Sequence, residues 1–123
     1  VFVIKLDKDK DIYMVWSFVV DAPIFFGNRE DVGGELSLDY TLRQVRDGIA
    51  ATKVEASLAR CDETGTTQEF GHPPDGSWHD FGLLYMNLGT LPRDKFYEMY
   101  ERYLVEPDNK TPDITDLLIP REP

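Results

Sequence analysis

A chain of 123 residues, 41% hydrophobic and 12% aromatic, is long enough for one domain and too apolar for a disordered segment, in spite of a formal net charge of −10. That charge repels nucleic-acid phosphates and anionic lipids, which excludes both and favours a partner that is basic, cationic or uncharged. The longest apolar stretch falls far short of the roughly 20 residues of a membrane span, and the single cysteine, Cys61, excludes an internal disulfide and any multi-cysteine metal site, so a reducing, cytoplasmic setting is expected.

In chain order, Val1 to Leu6 reads as a strand, the charged run Asp7-Lys8-Asp9-Lys10 as a turn, and Ile12 to Val20 as a second strand. Ile12, Met14, Trp16, Phe18 and Val20 share one face of that strand, and Tyr13, Val15, Ser17 and Val19 share the other. A strand apolar on both faces needs two coverings, either within the chain or from a second copy, so a homodimer is weighed equally with a monomer. Trp16, Phe18, Phe25 and Phe26 are expected in the core. Asp21-Ala22-Pro23 is read as stopping the strand and Gly27-Asn28 as closing a loop. Asn28 then caps a helix whose first turn carries Glu30 and Asp31, although Gly33-Gly34 weakens it by about 1 kcal/mol each. Leu38, Leu42, Val45, Ile49, Ala50, Val54 and Leu58 repeat at helical spacing towards Cys61, with Gly48 dividing two helices and Gly65 as the C-terminal cap.

A loop rich in Gly, Pro, Asp and Ser follows through Gly82, shortened if Thr66 to Phe70 forms a strand. Leu83 to Leu88 reads as a short strand, and Thr90-Leu91-Pro92-Arg93-Asp94 as the start of a helix from Pro92 to Val105 with Phe96, Met99, Tyr100, Tyr103 and Leu104 as its apolar stripe. The remainder is punctuated by Pro107, Pro112, Pro120 and Pro123, and one capped turn carries Ile114, Leu117 and Leu118, which either dock or reach for a partner. The pattern implies an α+β fold, a small antiparallel sheet of three to four strands against two or three helices, with one domain over 1–105 and a proline-punctuated tail over 106–123.

Chemistry is sparse. Asp7, Asp9 and Asp11 open like a calcium loop, but Ile12 stands where the turn glycine belongs and Phe18 where the bidentate Glu belongs, so the ligand shell does not close. His72, Asp75, His79 and Asp80 place two imidazoles and two carboxylates in one loop; His72 and His79 with a carboxylate suit zinc, manganese or iron, and a metal-dependent hydrolase is the rival function. The Pro73-Pro74 pair stiffens the path between His72 and Asp75 and works against convergence. Cys61 sits beside Asp62 and Glu63, which oppose thiolate formation, and reads as a buried structural thiol. Serine elbows and phosphate-binding glycine loops are missing, and no cofactor is implied.

Between Cys61 and Pro92 there is no Lys or Arg, while Asp62, Glu63, Glu69, Asp75 and Asp80 all lie there with Phe70, Trp78, Phe81 and Tyr85 interleaved. Asp75, Trp78, Asp80 and Phe81 are therefore the expected binding residues for a basic protein surface, with Trp78 weighed at least equally as a core plug. The function that follows by exclusion is a non-enzymatic acidic protein-binding or regulatory protein. The run Val15-Trp16-Ser17-Phe18-Val19-Val20-Asp21-Ala22-Pro23, then Arg29-Glu30-Asp31, Asp62-Glu63-Thr64-Gly65-Thr66 and Gly82-Leu83-Leu84-Tyr85-Met86, resembles small uncharacterised proteins of actinobacteria and their phages. The resemblance implies an accessory bacterial or phage protein and carries no activity onto named residues.

Overall fold

The charged run after Leu6 turns the chain, with Asp7 Oδ1 accepting the Asp9 N–H at 2.8 Å. Strands β1 (Phe2–Lys5) and β2 (Tyr13–Ser17) then pair antiparallel, Phe2 opposite Trp16 and Lys5 opposite Tyr13. The computed structural model describes residues 2–43, 46–68, 76–106 and 110–120. A third strand, β3 (Ala22–Gly27), pairs with β2 in register from Tyr13 opposite Gly27 to Ser17 opposite Ala22, with Ile24 as an extra residue between the pairs. The sequence pointed to a strand stop and a loop here. Pro23 lacks a donor, but an edge strand tolerates that. The second strand ends at Ser17 rather than Val20 because the Ser17 hydroxyl accepts the Val19 N–H at 3.2 Å and Asp21 takes a positive φ of 51°, which turns the chain.

Helix α1 (Arg29–Leu42) starts as expected, with reciprocal bonds from the Asp31 N–H to Asn28 Oδ1 at 2.9 Å and from the Asn28 N–H to Asp31 Oδ2 at 3.1 Å. Gly33 is accommodated because it faces α2 (Asp47–Thr64), where an added Cβ would lie 3.4 Å from Leu58. Gly65 ends α2 at a φ of 92°, its N–H donating to the Cys61 carbonyl at 2.7 Å. The chain then runs beside β1: the Lys5 N–H donates to Gly65 O at 2.9 Å and the Thr67 N–H to Val3 O at 3.0 Å. This closes the β1 edge.

Strands β4 (Gly82–Tyr85), β5 (Gly89–Pro92) and β6 (Ile119–Pro120) form a second antiparallel sheet. The fold is α+β, with its strands divided over two three-stranded sheets. Met86 and Asn87, at φ 44° and 60°, make the β4–β5 turn, and the Leu88 N–H donates to Tyr85 O at 2.9 Å. Thr90 to Pro92, expected to begin the last helix, are therefore strand, and helix α3 (Phe96–Val105) follows one 3₁₀ turn.

The first sheet is a middle layer. On one face Val3, Tyr13 and Val15 pack with Val32, Leu36, Leu58 and Cys61 of the helices. On the other, Phe2, Ile4, Met14 and Trp16 pack with Leu83, Tyr85 and Leu91 of the second sheet, Phe96 and Met99 of α3, and Ile114, Leu117 and Leu118. Ile114, Leu117 and Leu118, beyond α3, thus dock. Both coverings of β2 come from this chain, so the strand by itself does not call for a second copy. Trp16 is buried and Phe25 and Phe26 are half-buried, but Phe18 is exposed, because the chain has already turned away from the sheet. Leu104, also expected inward, faces outward near the end of α3.

Asp62 fastens the helical layer. The Tyr13 hydroxyl donates to its Oδ1, Lys5 Nζ lies 3.6 Å away, and Arg29 Nε donates to Oδ2 at 3.0 Å while the guanidinium also grips Glu55 at 2.9 Å. Partial burial pushes the Asp62 carboxyl up, but the bonds from Tyr13 and Arg29 and the charges of Lys5 and Arg29 outweigh it and hold it below the usual range. A carboxyl so lowered stabilises the fold above its unfolded pKa of about 3.9, and that contribution is lost as pH falls through the folded value. Urea unfolding of Asp62→Asn at pH 7 is expected to show a loss of about 1–3 kcal/mol, with a smaller further loss below about pH 4 than the parent suffers. Equal acid sensitivity in both proteins would contradict this role. For Gly65→Ala, whose Cβ would lie 2.8 Å from the Trp78 ring at a positive φ, a loss of about 2–3 kcal/mol is expected in the same measurement.

Candidate functional site

The loop expected to bind is partly consumed in holding itself down. Trp78 Nε1 donates to Glu63 O at 3.0 Å and its ring lies against Gly65. The Arg93 guanidinium sits 4.6 Å from the Trp78 ring and 4.7 Å from that of Phe96, and Lys8 Nζ lies 5.5 Å from Trp78. Arg93 also donates to Ser77 O and Leu6 O, each at 3.3 Å, and to Lys5 O. Burial lowers its pKa to about 10, which leaves it charged at neutrality. Asp80 Oδ2 accepts the Gly76 N–H at 2.9 Å. Of the four expected binding residues, Phe81 is exposed beside Asp80, Trp78 is committed inward, and Asp75 lies outside the described residues.

His79 is exposed, whereas His72 and Asp75 lie outside the described residues. Among the described residues no group of three His, Cys, Asp or Glu is placed to hold a metal. Asp7 and Asp9 form a turn, and Asp11 Oδ1 accepts the Arg29 N–H at 2.9 Å, tying that turn to α1. Cys61 is buried with its thiol 3.6 Å from Val3 O, and burial pushes its pKa up to about 12, away from nucleophilic use. No helix among the described residues is long and apolar enough to cross a membrane.

A different surface stands out. Phe18, Val19, Val20, Ile24, Leu38 and Leu42 are each more than half exposed, with Val19 at 92% and Leu42 at 75%. Val32 and Leu36 point α1 at the sheet, whereas Leu38, two residues beyond Leu36, lies on the flank of the helix towards Ile24 and stays more than half exposed. Leu42, one turn later, follows Leu38. With Val15, Leu36 and Ile24 they line a largely apolar recess of about 160 Å³, whose wall also includes Glu35 and Asp39. Leu36 and Asp39 also border a polar groove of about 530 Å³, whose walls include Phe18, Tyr40, Arg43 and Arg60. Phe18 stacks on Phe2 with centroids 4.5 Å apart, and Arg43 pairs with Asp39 at 3.2 Å.

The recess and the groove, the latter bordered by Phe18, therefore share Leu36 and Asp39 in the second half of α1. Sequence reasoning missed the surface because Leu38 and Leu42 fit a helical repeat with Leu58. The signal present was the two-residue offset from Leu36, which no single stripe accommodates. Chemically the face offers burial to an apolar side chain beside charged and hydroxyl hydrogen-bonding groups.

No protein-family model matches the chain, and neither a curated protein nor a solved structure matches it.

Arg93→Lys is expected to lower stability by about 2–4 kcal/mol, because an ammonium cannot both stack between two rings and serve three carbonyls in a fork. The substitution should also shift tryptophan emission to the red as Trp78 loosens. Unchanged emission with full stability would show that Trp78 does not depend on the guanidinium.

Proposed function

We propose that this chain is a non-enzymatic acidic binding protein, with an accessory or regulatory role, that docks another protein on the face made by the Phe18–Val20 turn, Ile24 and the second half of α1. The observation that carries the reading is the convergence of Ile24, Leu38 and Leu42, each more than half exposed, on one largely apolar recess, with the exposed Phe18 lining the groove that shares Leu36 and Asp39 with it. Single exposed apolar residues are ordinary. Several hundred Å² gathered in one place is the scale at which such patches mark interaction sites. The net charge of −10 favours a partner with a basic rim around an apolar anchor. Phe81 beside Asp80 offers a further small contact of the same character.

Leu38→Asp/Leu42→Asp tests the reading without touching either core, and exposed substitutions of this kind change stability by roughly 0.5 kcal/mol or less. Immobilised parent protein is expected to retain a partner from an extract of its source organism, and the double variant to retain at least about tenfold less of it at an unchanged melting temperature. Equal retention by both would reject this face, and turnover of a small molecule with no retained protein would reject the binding function.

A further inference from the structure

The polar groove of about 530 Å³ falls within the roughly 300–1,000 Å³ of small-molecule sites, and its walls differ in chemistry. Phe18 forms one of them, its ring 57% exposed and backed by the buried Phe2. The others carry polar groups from α1, α2 and the segment beside β1, and most of these are donors. Arg60 Nη1 donates to Thr67 O at 2.9 Å, which fixes its guanidinium at the groove wall. Arg43 brings a second guanidinium, and its exposed pair with Asp39, at 3.2 Å, is weak and engages one end of the fork. The Tyr40 hydroxyl and Ser57 Oγ lie 3.4 Å apart, so whichever of them donates, the other keeps its proton for a third group. Thr67 Oγ1 accepts the Val3 N–H at 3.0 Å and likewise keeps its proton.

Against these donors stand two acceptors, the Asp39 carboxylate and the side-chain carbonyl of Gln68. A groove with donors in excess selects a ligand rich in acceptors, and two guanidinium groups against one carboxylate suit a monoanion better than a dianion. We propose that this groove binds a small aromatic monocarboxylate, its carboxylate held by Arg43, Arg60 and the Tyr40–Ser57 hydroxyl pair and its ring laid on Phe18. The site goes beyond the docking face and does not rest on it. The chain's net charge of −10 opposes an anion only at range. Salt screens that field beyond about 8 Å, whereas a charge-assisted bond acts at about 2.7–2.9 Å. Arg29, Arg93 and Arg102 are engaged by carboxylates or carbonyls of the chain itself and do not compete for the ligand. Because Arg60 is already anchored, less side-chain freedom is lost when the anion arrives.

Naphthoate titrated into the isotope-labelled chain and followed by amide NMR is expected to saturate with a Kd of about 1 mM or tighter, shifting the amides of Tyr40, Arg43, Arg60 and Gln68. Naphthamide keeps the ring without the charge, and acetate keeps the charge without the ring. Each is expected to bind about tenfold more weakly, and naphthyl phosphate no more tightly than naphthoate. Arg43→Gln and Phe18→Ala should each weaken naphthoate about threefold to tenfold, while amides away from the groove report an intact fold. Failure to saturate by about 10 mM would overturn the proposal. So would equal binding of the amide or of acetate, tighter binding of the phosphate, indifference to both substitutions, or shifts confined to Ile24, Leu38 and Leu42.

Discussion

Every residue of β2 from Tyr13 to Ser17 is buried, and the rest of the architecture answers the demand this makes for two coverings. The helices supply one through Val32, Leu36, Leu58 and Cys61. The other comes from the last third of the chain, through Leu83, Leu91, Phe96, Met99 and the turn carrying Ile114, Leu117 and Leu118. Closing such long loops costs only slowly more with length, so segments distant in sequence are recruited without prohibitive entropy. The segment from Ile114 to Pro120 is held for this reason, Ile119 and Pro120 pairing with Thr90 and Gly89.

Each covering is pinned to the sheet by one polar group at its margin. On the helical side Asp62 gathers Tyr13, Lys5 and Arg29; on the other Arg93 binds the carbonyls of Lys5, Leu6 and Ser77 between two aromatic rings. Lys5 belongs to both, its side chain to Asp62 and its carbonyl to Arg93. The acidic segment thus acquires a structural duty, since holding Arg93 in place requires Trp78 to face inward.

Local chemistry was legible wherever it decided the geometry alone. Asn28 with Asp31, Gly65 as a cap, the two-faced second strand and the buried Cys61 needed no tertiary information. The third strand was hidden because Asp21-Ala22-Pro23 satisfies every rule for a stop, and only the edge position excuses Pro23. The β4–β5 turn was hidden because Met86 and Asn87 take positive φ without the glycine that announces such turns. Of the candidate site, the acidic loop was visible as composition, but whether Trp78 faced inward depended on Arg93, fifteen residues away.

The outward face of α1 follows from the same constraint that fixes its inward face. Once Val32 and Leu36 are committed to β2, Leu38 and Leu42 reach only the margin of that sheet at Ile24, and the second sheet, α3 and the turn at Ile114 to Leu118 are engaged on the opposite side. Burying one aliphatic side chain that is mostly exposed yields roughly 1–2 kcal/mol, whereas association itself costs about 4–15 kcal/mol. No single seat on this surface can meet that cost. An occupant of the face proposed above would therefore have to cover several of these side chains at once.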